Sequence, residues 1–206
     1  TTHMAMSSTR VMATTAMMGQ AVGTAAAIAL RTGEMPRGVW EHHIEELRQT
    51  LLDQDQFIPN AKRKIPDLTL RAETSCEILR DGWDRDWDDG EHGASFAPGE
   101  SAVYRFNEEE TVHGVRLVFD SDLTDLKRQR NVETSGECHP MPRLLPRSFR
   151  LEYRGGGEWK EFAAVSENRH RYVKIDAAPC RCREFRFVAG KAWGGGDTRV
   201  FSFDLF

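Results

Sequence analysis

His3 and Arg10 stand just ahead of residues 11–30, twenty positions without a charge in which Ala, Gly, Met and Thr outnumber the large aliphatics. Histidine is the side chain that titrates nearest neutrality and so can act as acid or base, while arginine is a fixed cation able to face a cofactor or substrate oxygen. These two are the catalytic candidates, and Met18, Gly19, Gln20 and Gly23 are the candidates for contact with a bound cofactor. Written on a helix, Gly19, Gly23 and Ala27 recur at i, i+4 and leave one face nearly bare of side chains. A first helical turn presents unpaired N–H groups and the positive end of the dipole, which stabilise a partly negative acceptor edge. Glycine at position 19 lets such a backbone come close to a flat ring. Tight helix packing accounts for the same glycines, and a solvated arginine and a terminal histidine account for the other two residues.

The run Ser8-Thr9-Arg10-Val11-Met12-Ala13-Thr14, followed by Met18-Gly19-Gln20-Ala21-Val22-Gly23-Thr24-Ala25-Ala26-Ala27, resembles the C-terminal end of the flavin-binding domain in bacterial FAD-dependent oxidoreductases. The resemblance implies FAD as cofactor, a helix whose N-terminus points at the flavin ring, and hydride transfer as the chemistry. It also implies an N-terminal region with a βαβ unit and a G-x-G-x-x-G turn to hold the pyrophosphate, and this sequence has none. Gly155-Gly156-Gly157 and Gly194-Gly195-Gly196 read as loops. The chain is therefore expected to be the C-terminal part of a longer oxidoreductase. Its partner is the flavin-binding region of the parent, and alone it is expected to be inactive and to retain little or no FAD.

Other residues suggest different chemistry. Trp83, Trp87 and Trp193 lie in Gly- and Asp-rich segments where an indole could stack on a sugar while Arg85, Asp86, Asp88 or Asp89 bind its hydroxyls. The same tryptophans could instead plug the end of a β-barrel. The acidic run 84–89 with Glu91 lacks the EF-hand spacing, and Cys138-His139 with Cys180-x-Cys182 lacks the matched pairs of a structural zinc site, so no metal is assigned. Cys138 and His139 are adjacent, which on an extended segment points them apart and excludes a Cys–His nucleophile pair.

Periodicity supplies the elements that must position these groups. After the uncharged stretch, Thr32-Gly33-Glu34-Met35-Pro36 reads as a stop and turn, and Trp40, Ile44, Leu47 and Leu51 recur at helical spacing in a second helix expected to pack on the first. The basic, proline-containing segment 62–66 reads as a connector. Beyond it the period falls to two, in runs at Tyr104/Phe106, Val115/Leu117/Phe119, Phe149/Leu151/Tyr153, Val173/Ile175, Phe185/Phe187 and Phe201/Phe203/Leu205. The fold class expected is α+β: a short N-terminal helical segment of two helices, the end of a flavin-binding domain, then an antiparallel jelly-roll β-sandwich. The domains expected are 1–66, helical with linker, and 67–206, the sandwich. Cys76-Glu77-Ile78-Leu79-Arg80-Asp81-Gly82, a later tryptophan, Pro98-Gly99 and Val115-Arg116-Leu117-Val118-Phe119-Asp120-Ser121 make the second part resemble a discoidin or galactose-binding-like domain. That resemblance implies a fold, and loops at one end that bind sugars in some members.

Composition narrows the partners. With 28 basic against 32 acidic residues there is no bulk charge to draw the chain to nucleic acid or a membrane surface. The uncharged stretch has roughly the length of a bilayer span, but its Ala, Gly and Thr contribute little transfer energy and Gln20 sits near its middle. It lacks the leucine-rich core of a signal peptide, and a buried soluble helix is the reading preferred. The four cysteines are too few for a disulfide framework, which favours a reducing compartment, the cytoplasm, with secretion or the periplasm as alternatives. Residues 122–146 interrupt two strands with a long loop carrying Lys127, Arg128 and Arg130, expected to reach the flavin domain or a second subunit. Two functions remain: part of an FAD-dependent oxidoreductase acting on a small molecule or carbohydrate, with a homo-oligomer as one way to cover the first helix, or a non-catalytic carbohydrate-binding module.

Overall fold

The computed structural model describes residues 2–3, 11–88, 90–123 and 141–206, and divides into two compact units, Thr1–Arg63 and Lys64–Phe206.

In the first unit, helix α1 spans Met12–Thr32 and stops where Gly33 adopts φ 74°, a left-handed C-cap whose N–H bonds to the Ala29 carbonyl. Pro36 opens α2, Pro36–His42, at the position where its missing N–H costs nothing. The helix expected over residues 40–51 is broken: His43, at φ −127°, separates α2 from α3, Ile44–Asp53. The break shifts the helical phase, so Leu51, Leu52 and Val39 are buried while Trp40 is exposed beneath the Arg37 guanidinium. Both helices pack on α1. Gln20 Nε2 donates to Gln54 Oε1 (3.0 Å) and Gln56 Nε2 to the Met17 carbonyl (3.1 Å), tying α1 to the end of α3.

The second unit begins with α4, Asp67–Arg71, the short β1, Glu73–Thr74, and a 3₁₀ turn, Glu77–Arg80. Then come β2, Ala94–Phe96; β3, Ser101–Phe119; β4, Phe149–Arg154; β5, Lys160–Val165; β6, Tyr172–Ala189; and β7, Thr198–Leu205. All pair antiparallel in one sheet of order β2-β7-β3-β6-β4-β5, with β1 on β3. This sheet folds on itself. The first half of β3 pairs with the second half of β6, the second half of β3 with the first half of β6 and with β7, so both long strands pass through both layers of the sandwich.

Parity explains the fold-over. In β3 the even residues Ala102, Tyr104, Phe106 and Val112 face the core, but after a bulge between Val112 and Gly114 the odd residues Val115, Leu117 and Phe119 do. At that bulge Pro179 of β6, which has no N–H to place in a ladder, lies in the segment that falls out of register. Gly114 is required there, since a Cβ would meet the Phe206 ring at 2.4 Å and the Ile175 carbonyl at 2.7 Å. The core between the layers is aromatic: Tyr104 stacks on Phe203 at 4.9 Å and donates its hydroxyl to the Phe203 carbonyl (2.7 Å), while Phe119, Phe149 and Phe187 pack on one another with their rings tilted by 39–51°. Burial raises the Tyr104 pKa, keeping the phenol a neutral donor. The chain end is fixed, with Phe206 O accepting from His113 and Gly114 and Thr69 Oγ1 accepting from Leu205 N.

Candidate functional site

The sequence-selected cofactor residues all fall on α1, and they are exposed. Gly19 and Gly23 have no atom within 4 Å of the position a Cβ would take, and Ala27 shares their open face. Ile28 is the one buried residue of α1, whereas Val22 is 69% and Leu30 87% exposed; the helix is not the buried element expected. By length and composition it is also apolar enough to cross a membrane.

The helix starts at Met12, with no side-chain cap and no acid in the first turn, so the N–H groups of Met12, Ala13 and Thr14 have no acceptor among the described residues. Gly19 lies seven residues further on, about 10 Å along the axis. The dipole end and the bare face are therefore different places, and one ring edge cannot meet both. Gln20 is engaged with Gln54, Met18 is exposed, His3 is exposed, and Arg10 lies outside the described residues.

FAD fits this surface only in part. The start of α1 is suited to a partly negative ring edge, and the Gly19/Gly23 face admits a flat neighbour. No pyrophosphate cradle accompanies them among the described residues: Gly155–157 join β4 to β5 and Gly194–196 join β6 to β7, both between antiparallel strands.

In the sandwich, the loops before β2, β4, β6 and β7 gather at the end opposite the fold-over. Trp83 and Trp87 stack at 6.4 Å, and Trp83 lies 5.5 Å from the His92 ring. Three carboxylates of this loop are already committed. Asp81 Oδ2 meets His92 Nδ1 at 2.6 Å, Asp84 Oδ2 meets Arg116 Nη2 at 2.6 Å, and Asp86 takes both Arg199 Nη atoms at 2.7 and 2.8 Å. Burial pushes the Asp86 pKa up, but the Arg199 hydrogen bonds outweigh it and hold the carboxyl below its ordinary range. Arg116 is itself buried, with Asp204 3.5 Å away. Asp86, one of the four residues considered for sugar hydroxyls, is thus a structural anchor, Asp88 is an exposed turn residue, and Asp89 lies outside the described residues. The paired tryptophans are both half-buried beside this network.

Trp193 differs. It borders a groove of about 340 Å³ lined by Arg147, Ser148, Ser166, Glu167, Lys191, Ala192 and Gly195, and Ser148 and Ser166 also line an adjoining hollow of about 260 Å³. Asn168 holds the site together. Its buried side-chain amide donates to the Pro146 and His170 carbonyls (3.1 Å each), its backbone N–H donates to Arg147 O (2.9 Å), and its carbonyl accepts from Trp193 Nε1 (2.7 Å). The guanidinium carbons of Arg147 and Arg169 lie 5.1 and 5.9 Å from the Trp193 ring centre. Sequence reasoning found Trp193 but missed Asn168, Arg147, Arg169 and Lys191. Each sits beside a strand end more than twenty residues from the next cluster, and only strand pairing unites them.

Cys76, Cys180 and Cys182 are free thiols, with Cys180 and Cys182 hydrogen-bonded on one face of β6. Cys138 and His139 lie outside the described residues, and no three His, Cys, Asp or Glu side chains converge on a metal-binding geometry among the described ones.

Residues 1–51 match the model of the FAD dependent oxidoreductase family. The match ends within α3 and leaves the sandwich outside it. No curated protein matches the chain. Among solved structures, the chain is similar to chitosan-binding module 2, in complex with chitotriose, from a chitosanase/glucanase of Paenibacillus sp. IK-5 (10% identity, 68% of this chain and 99% of that one, TM-score 0.48). It is also similar to the family 32 carbohydrate-binding module of C. perfringens NanJ in complex with galactose (11% identity, 65% and 90%, TM-score 0.44).

Proposed function

We propose that residues 1–66 are the C-terminal end of the FAD-binding domain of a longer FAD-dependent oxidoreductase, and that residues 67–206 form its accessory β-sandwich module. The observation that carries this reading is the pairing of the family match over residues 1–51 with an apolar, glycine-faced α1 that is exposed along nearly its whole length. A helix of that kind is shaped to be covered, and the rest of a flavin domain would cover it.

In such an enzyme bound FAD supplies hydride transfer. The uncapped N–H groups at the start of α1 would stabilise the electron-rich edge of the ring. Gly19 and Gly23, with Met18 and Gln20, would form the surface against which the rest of the flavin domain packs. Arg10 would oppose developing negative charge and His3 would carry a proton. Free thiols suit a cytoplasmic enzyme. Residues 122–146, of which 124–140 with Lys127, Arg128 and Arg130 lie outside the described residues, would serve contacts with the flavin domain or a second subunit.

The test is to purify the intact parent and this chain side by side and record the flavin band near about 450 nm. A yellow parent and a colourless chain are expected. A parent that stays colourless after FAD is supplied would remove the reading.

A second reading, carbohydrate binding by the sandwich, is favoured by the Trp193 groove, which combines an aromatic wall with hydroxyl and charged groups in a hollow of ligand size.

A further inference from the structure

We infer that the Trp193 groove binds an acidic saccharide, with the carboxylate of a hexuronate unit received between Arg147, Arg169 and Lys191. The inference rests on the carbohydrate reading and goes further by naming the charge of the ligand.

Arg147 and Lys191 line the groove and Arg169 lies over the Trp193 ring that walls it, while the lining holds a single carboxylate, Glu167. Arg147 already holds Glu167, through Nε at 2.6 Å and Nη2 at 2.5 Å, which leaves the rim with excess positive charge. Lys191 lines the groove and forms no ion pair among the described residues. This concentration of positive charge stands out on a chain whose net charge is −4.

The geometry is held in advance. Asn168 fixes the Trp193 edge and the Arg147 backbone together, so neither need be ordered when a ligand arrives. A guanidinium lying over an indole turns its N–H donors outward in its own plane, where a carboxylate can take two of them at once. Glu167 is held at φ 54°, a left-handed conformation that a non-glycine residue adopts only under constraint from its surroundings. Ser148, Ser166 and the Glu167 carboxylate supply the mixed donors and acceptors that sugar hydroxyls need. A simple inorganic anion would use the cations and leave the hydroxyls and the aromatic wall idle.

The experiment titrates the full chain with trigalacturonate and with neutral galactotriose by calorimetry, at low and at physiological salt. The variants are Lys191→Gln with Arg169→Gln, both exposed and so compatible with folding, which a thermal melt verifies. Expected are binding of trigalacturonate that weakens with salt, weaker binding of galactotriose, and a loss of roughly tenfold for trigalacturonate in the double variant. Equal affinity for both sugars would overturn the charge assignment while leaving the carbohydrate reading intact. Absence of binding by either would overturn both. Trigalacturonate binding that survives the double variant but is lost on Trp83→Ala would place the ligand at the other tryptophans and overturn the groove.

Discussion

Gly19 separates two roles that a glycine on a helix can have. Nothing among the described residues touches its face, so Gly19→Ala removes only the conformational penalty of glycine and should raise the chain's unfolding free energy by about 0.5–1 kcal/mol in a denaturant melt. In the intact parent the same change should lower flavin content, because the added methyl would stand on the surface proposed to be covered. Asp86 belongs to the opposite class, a residue committed inward. Its folded pKa is depressed, the Arg199 bonds outweighing burial, so its contribution to stability is present above the ordinary carboxylate range and is lost as pH falls through the depressed value. Asp86→Asn should therefore cost about 1–2 kcal/mol at neutral pH, and the gap to the parent sequence should close on acidification. A gap that is the same at every pH would contradict the pairing as the cause. Asp86 also shows where the sequence misled: an Asp in a Trp-rich loop reads as a ligand for hydroxyls until its arginine, 113 residues away, is seen to hold both oxygens.

Among the elements, runs of period two announced every long strand core but not the length of the strands. Tyr104/Phe106 and Val115/Leu117/Phe119 read as separate because the exposed residues 107–109 and the bulge at Gly114 interrupt the alternation, yet they are one strand. The same holds for Val173/Ile175 and Phe185/Phe187, whose parity changes twice across Pro179 and Cys182. Strand β5 was not legible: as an edge strand, it leaves Lys160 and Glu161 in solvent and buries nothing fully. The 122–146 insertion was legible as a break, though not the way its roots are joined. Asp122, buried and at φ 55°, accepts from Arg143 N at 2.6 Å and Leu144 N at 3.4 Å, so the chain leaves and re-enters the sandwich at one point. Asp122→Ala should cost about 2–3 kcal/mol in a denaturant melt, from the lost acceptor and the left-handed backbone together, and Asp122→Asn clearly less because asparagine tolerates that conformation.

At the scale of the molecule, the two units differ in how complete they are. The sandwich closes its own core: its buried aromatics lie between its own layers and its final residue is tied into the sheet. The helical unit leaves Met12, Val22 and Leu30 in solvent. The sequence conveyed that contrast, since an apolar run poor in large side chains has little to offer a core of its own. What it could not convey was the Trp193 groove, whose walls come from three separate turns.

The passage of β3 and β6 through both layers gives the sandwich no seam. In a sandwich of two independent sheets, one can slide or peel from the other at the cost of side-chain contacts alone. Here any such parting would have to tear the backbone ladder of two strands at their midpoints, so the layers can only be lost together, and whatever is held by the loops at the far end is held by the whole domain or not at all.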